Sequence, residues 1–286
     1  MKFDAVIFDF DNVLVDTRAS YTDCIRKTVE SYLVTLLDFR PPRHPLLSRS
    51  DVEGFKSLGG FNDDWDTCYG LLLYFLNLKI KKRAIFELEK EKNIPGLVRE
   101  IKEKPLGVVG AEKKWGKNKE ITIGKISGIF QKFYLSEFVW NEKLLIPKSF
   151  LKTLKRTGLK FGIVTGRSRE EARFALRRFQ IDSLIEAMIT TDETPKGLRK
   201  PDPWGLIKVS NLLGKNGRYA YVGDLPDDIL AAKEAKKKIK ISSCGFLSVS
   251  SQTQEMKKEF KKLKADYLCE NAKELKTLIL PTRRST

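Results

Sequence analysis

Two aspartates separated by one residue, Asp9 and Asp11, stand directly after a short apolar run, Ala5-Val6-Ile7-Phe8. On extended backbone, residues two apart leave the same side, so these carboxylates repel each other unless a proton or a cation intervenes. Further clusters follow three later apolar runs. Thr165-Gly166-Arg167 comes after residues 161–164, Lys200-Pro201-Asp202-Pro203 after residues 185–189, and Gly223-Asp224 after residues 219–222, with Asp228 four residues on. Brought to one edge, Asp9, Asp11 and Asp224, with Asp228 a fourth candidate, would offer the hard oxygen ligands that Mg²⁺ takes. A cation beside a carboxylate suits phosphoryl transfer, because it neutralises phosphate charge and lets an anionic nucleophile approach. Asp9 is then the candidate nucleophile, forming an aspartyl-phosphate. Asp11 would protonate the leaving oxygen and later activate water. Lys200 would offset the remaining charge, and Thr165 with the Gly166 amide would hold phosphoryl oxygens. Asn12 and Arg167 are adjoining candidates for phosphate contact, although Arg167 reads first as an exposed charge. Asp228 also reads as the acid that opens a helix.

These residues need a scaffold that brings strand ends together. The apolar runs at residues 5–8, 161–164, 185–189 and 219–222, and weaker ones at 239–244 and 267–268, are too short for helices and lack polar alternation, as buried parallel strands do. Helical spacing fills most intervals: Ala172, Ala175, Leu176 and Phe179 fall three and four apart, and Asp202-Pro203 predicts an N-cap and first turn for a helix through Leu213. Strands alternating with helices predict an α/β fold with a doubly wound parallel sheet, whose ligands bind beyond the carboxyl ends of the strands. The interval 17–144 lacks that alternation. Helical patterns at 20–37, 65–78 and 126–138 predict an inserted helical domain, leaving 1–16 and 145–286 as the α/β core.

Composition narrows the chemistry further. Of 286 residues, 54 are Lys or Arg, 37 are Asp or Glu and one is histidine, giving a formal net charge of +17. The one histidine, His44, lies in the turn-rich Pro41-Pro42-Arg43-His44-Pro45, which excludes multi-histidine metal sites and disfavours a Ser-His-Asp triad. Cys24, Cys68, Cys244 and Cys269 show no Cys-x-x-Cys spacing, so reduced thiols in the cytoplasm are expected. No apolar run approaches the length of a membrane span, and no membrane role is expected. The charge would draw phosphorylated metabolites. A nucleic-acid-binding role is the expectation from another class, disfavoured because no basic stripe is interleaved with aromatics. Substrate choice is expected to fall to the insertion. Its best candidate is the segment from Lys56 through Gly59-Gly60 to Asn62 and Trp65, where a plain surface turn is the competing reading.

In order and spacing the four clusters resemble the motifs of the haloacid dehalogenase-like (HAD) hydrolase superfamily: Val6-Ile7-Phe8-Asp9-Phe10-Asp11-Asn12-Val13, Ile163-Val164-Thr165-Gly166, Lys200-Pro201, and Gly223-Asp224 with Asp228. The resemblance spans residues 1–16 and about 145–245, and the insertion is similar to the family's type 1 helical cap, as in phosphoglycolate-phosphatase-like members. It implies a Rossmann-like core, Mg²⁺ as cofactor, Asp9 as nucleophile and metal ligand, Asp11 as acid/base with its main-chain carbonyl on the metal, and Asp224 as a further ligand. The family's dehalogenases lack the second aspartate, since a halide leaves without a proton. Asp11 therefore points to a phosphatase acting on a small phosphorylated metabolite, with a phosphomutase as the alternative. A cap that closes over the strand ends to exclude water is expected to go with either.

Overall fold

Every residue of β1 (Ala5–Phe8) is buried, and its side chains alternate between two separate cores. Val6 and Phe8 join one core with the helices Lys148–Lys155, Arg169–Arg178 and Ala272–Ile279. Ala5 and Ile7 join the other with Trp204–Leu213 and Pro226–Ala235. A strand covered on both faces has no side left for polar residues, which is why the run reads as continuously apolar.

The computed structural model describes residues 2–61, 63–101, 105–249 and 253–280. After β1, β2 (Val15–Asp16) and β3 (Lys143–Leu144) form a small antiparallel pair. β4 (Lys160–Val164), β5 (Ala187–Ile189), β6 (Arg218–Gly223), β7 (Lys240–Phe246) and β8 (Tyr267–Cys269) follow. With β1 they make a six-stranded sheet in the order β5-β4-β1-β6-β7-β8, every pairing parallel. The expected α/β class with a doubly wound sheet is what the chain adopts. Among the described residues no helix is long and apolar enough to cross a membrane.

Local departures from the sequence reading have local causes. β5 begins at Ala187 rather than 185, because Asp182–Leu184 forms a 3₁₀ turn and the Ile185 amide donates back to the Asp182 carbonyl. The helix expected from Asp202 starts at Trp204, with Pro203 in the cap position; the Asp202 carboxylate accepts from the Trp204 amide at 2.8 Å. The β2–β3 pair had no sequence signal, since two residues are too few to show a period.

The chain divides into two compact units, one holding the sheet and the other spanning Thr17–Glu142. The second unit carries seven α-helices among its described residues, from Tyr21–Leu36 to Ile123–Ser136. The Tyr21 and Tyr134 rings stack at 4.9 Å, and the Tyr134 hydroxyl donates to the buried Glu142 carboxylate at 2.7 Å. Its paired glycines serve backbone packing. Gly59 and Gly60 both have positive φ, and a Cβ on Gly60 would lie 2.8 Å from the Gly107 Cα. Only glycine lets the two segments close, with Gly107 donating to the Gly59 carbonyl at 2.9 Å.

Candidate active site

The sheet register decides what meets what. Phe8 pairs with Ile163 of β4 and Val222 of β6, so Asp9, Thr165 and Asp224 all emerge at the same sheet edge. β1 is also where the winding reverses: β4 and β5 lie to one side, β6, β7 and β8 to the other, and such a switch point leaves a crevice beyond the strand ends. The chain turns sharply there. The Asp9 amide donates to the Val222 carbonyl at 2.8 Å, and Asn12 sits at φ 56° with its amide on the Val15 carbonyl at 2.7 Å. Asparagine tolerates this left-handed conformation better than most residues. The role the structure gives Asn12 is therefore in the turn that carries Asp11.

Three carboxylates converge at the edge. Asp9, Asp224 and Asp228 each place an oxygen within 4.8 Å of the others. Lys200 enters from the loop after β5, its Nζ 3.0 Å from Asp9 Oδ1 and 2.8 Å from Asp228 Oδ1. Asp228 is completely buried at the start of its helix. It also accepts from the Tyr221 hydroxyl at 2.7 Å and, through Oδ2, from the Leu225 amide at 3.0 Å. Asp9 Oδ1 further accepts from the Phe10 amide at 2.8 Å, whereas Oδ2 accepts from none of the described residues.

The electrostatics follow from three acids sharing one ammonium. Burial pushes the Asp9 carboxyl up to about 7; Asp228 and Asp11 push the same way, and Lys200 opposes them. Burial likewise raises Asp224 well above the carboxylate range, with Asp9 and Asp228 adding to it. Burial works against the charge of Lys200, but Asp228 and Asp9 outweigh it and hold the amine protonated. The Tyr221 hydroxyl is held in its neutral form by burial and by Asp228. A cluster this rich in hard oxygens fits a divalent cation, which Asp9 and Asp224 could bind directly, because both oxygens of Asp228 already serve protein donors.

Close packing fixes Asp228. A Cβ added at Gly223 would fall 2.3 Å from the Asp228 Cβ. Gly223→Ala is therefore expected to displace Asp228 and Lys200 together, lowering stability by about 1–3 kcal/mol in a denaturant titration.

The remaining sequence candidates fall as follows. Thr165 is buried, and its Oγ1 accepts from the Arg167 amide at 3.1 Å, so the turn-hydroxyl reading holds at least in part. Gly166 is exposed with open space around it. Arg167 is not the exposed charge expected: its side chain is 1% exposed, and its guanidinium pairs with Asp11 and lies 4.5 Å from the Phe10 ring centroid. Lys56, in the other unit, is paired with Asp64 at 2.6 Å. Asn62 lies outside the described residues. Sequence reading missed Tyr221, which looked like one more apolar strand residue; its place two residues before Gly223-Asp224 is the only signal of its hydroxyl's position.

Known proteins share the family and the fold of this chain. A family model described as haloacid dehalogenase-like hydrolase matches residues 3–236. The pyrophosphatase PpaX of Halalkalibacterium halodurans is 37% identical over 86 residues, 30% of this chain and 39% of that protein. The PpaX homologue of Caldanaerobacter subterraneus subsp. tengcongensis is 33% identical over 134 residues, 46% of this chain and 56% of its own length. The chain thus spans about half the length, or less, of the curated relatives it matches. Among solved structures, phosphatase Tt82 from Thermococcus thioreducens superposes with a TM-score of 0.62 at 23% identity, over 83% of this chain and 90% of that one. A structure described as a predicted phosphoglycolate phosphatase from Haemophilus somnus 129pt gives 0.62 at 18% identity, over 97% and 99%. At such identities the structural matches speak for the fold.

Proposed function

The chain belongs to the haloacid dehalogenase-like hydrolase family, and on that premise we propose that it is a Mg²⁺-dependent phosphatase acting on a small phosphorylated metabolite in the cytoplasm. The observation that carries the reading is Lys200 held between Asp9 and Asp228, with Asp224 completing the acidic cluster at the switch point of the sheet. Pyrophosphate, the substrate class in the name of the PpaX relatives, is one such compact phosphorylated compound to test.

When bound by Asp9 and Asp224, a divalent cation supplies the positive charge that lets a carboxylate approach a phosphoryl group. Asp9 is oriented for attack by the Phe10 amide and Lys200 on Oδ1, leaving Oδ2 to bond to phosphorus while the leaving oxygen departs. Lys200 offsets charge on the transferred group and is itself fixed by Asp228. Thr165 and the Gly166 amide sit at the adjoining strand end to hold phosphoryl oxygens. Asp11, 31% exposed at its side chain, gives its proton to the leaving oxygen and then takes one from the water that hydrolyses the aspartyl-phosphate.

The test is hydrolysis of p-nitrophenyl phosphate by the purified chain with Mg²⁺ and with EDTA. Turnover is expected with Mg²⁺ alone. The same titration should raise the melting temperature, because a ligand at a hundred times its Kd stabilises the native state by about 2.7 kcal/mol. Equal rates and equal melting temperatures under both conditions would remove the metal from the proposal.

A further inference from the structure

We propose that Arg167 is a positioning residue for the proton-transfer step, clamping one oxygen of Asp11 so that the other faces the leaving group. The inference rests on the phosphatase reading above and assigns a part of its machinery that the family motifs leave out.

The geometry is specific. Arg167 Nε and Nη2 both donate to the same atom, Asp11 Oδ1, at 2.8 and 2.7 Å. Asp11 Oδ2 accepts nothing from the described residues, and the Asp11 side chain is 31% exposed while that of Arg167 is 1% exposed. The arrangement repeats at Asp9, where Lys200 and the Phe10 amide occupy Oδ1 and leave Oδ2 unclaimed. Each of the two proposed reacting carboxyls thus has one oxygen tied to a cationic side chain and one that accepts from none of the described residues.

The clamp is itself held on several sides. The guanidinium carbon lies over the Phe10 ring, 4.5 Å from its centroid, and Phe10 is the residue between the two aspartates. The Arg167 amide donates to Thr165 Oγ1 at 3.1 Å, and its carbonyl accepts from the Thr191 amide at 3.0 Å. Directly after it, Ser168 and Glu171 form a reciprocal capping box on the helix Arg169–Arg178. A planar fork stacked on an aromatic ring fixes a carboxyl in direction as well as distance, which a flexible ammonium does not.

A misdirected acid hurts most where the leaving group needs its proton. An alkyl alkoxide is a poor leaving group, whereas p-nitrophenolate departs nearly unaided, so positioning of Asp11 should show as a difference between substrates. Arg167→Ala is expected to lower kcat/KM, which reads the step that expels the leaving group, about 10²-fold on an alkyl phosphate such as glycerol phosphate and only a few-fold on p-nitrophenyl phosphate. The ratio of the two rates is read on one preparation, so it does not depend on what fraction is folded. Arg167→Lys should recover part of the ratio, and Asp11→Asn should show the same bias. Adding Arg167→Ala to Asp11→Asn should change the ratio no further, because the two act through one atom. Equal losses on both substrates in Arg167→Ala, or a further change of the ratio when Arg167→Ala is added to Asp11→Asn, would overturn the clamp. No leaving-group bias in Asp11→Asn itself would overturn the proton-transfer role of Asp11, and the clamp with it.

Discussion

Asp9→Asn should lose at least about 10³-fold in turnover of p-nitrophenyl phosphate with Mg²⁺, since an amide cannot form the acyl phosphate and the other groups act only through that step. The same change should make the metal-free protein more stable at neutral and alkaline pH. Burial holds the Asp9 carboxyl at about 7, against an ordinary 3.8. A folded-state value raised in this way contributes stability that is fully present below the unfolded value and is lost as pH rises through the folded one. Wild type in EDTA should therefore fall in melting temperature relative to Asp9→Asn from about pH 4 up to about pH 7, and the gap should stay constant beyond. Retained turnover refutes the nucleophile assignment. A gap that narrows toward high pH refutes the electrostatic account, whatever the activity.

Lys200→Met should produce the largest change in stability. The ammonium lies 3.0 Å from Asp9 and 2.8 Å from Asp228, and no other cation is shown on that pair of acids among the described residues. Removing one partner of a buried ion pair leaves the other uncompensated, which typically costs about 3–5 kcal/mol; methionine keeps most of the volume, so little of the loss would come from a cavity. Urea denaturation at pH 7 reads it directly. Acidification should shrink the deficit, as the stranded carboxyls take up protons. Mg²⁺ should recover part of it too, because the cation replaces the missing charge. Turnover should stay about 10²-fold down even at saturating Mg²⁺, since the ammonium would also offset charge on the transferred group. A deficit below about 1 kcal/mol that ignores pH would mean that Lys200 is not what holds the acids together.

Much of this site was legible before any coordinates. The apolar runs before Asp9, Thr165 and Asp224 could be read because strands covered on both faces have nowhere to put polar residues, and the clusters after them stand out against that background. Helix boundaries were harder. The start at Trp204 rather than Pro203 turned on which amide the Asp202 carboxylate takes, a choice of one residue that spacing does not resolve. Arg167 was misread for a similar reason: it opens a charged stretch, Arg167-Ser168-Arg169-Glu170-Glu171, and only the fold shows that the first of those charges turns inward.

The sequence by itself determined the class of the sheet, the strand ends where the polar clusters stand, and the acid pair at Asp9 and Asp11, all of which depend on residues within a few positions of one another. Tertiary structure alone decided the partners: Arg167 on Asp11 across 156 positions, Lys200 and the Tyr221 hydroxyl on Asp228, and Cys244 against Cys269 at 3.6 Å. The physical reason is one of range. Burial periodicity is written into neighbouring residues, whereas the partner a charged group finds depends on strand order, register and rotamer, which exist only once the sheet has closed around it.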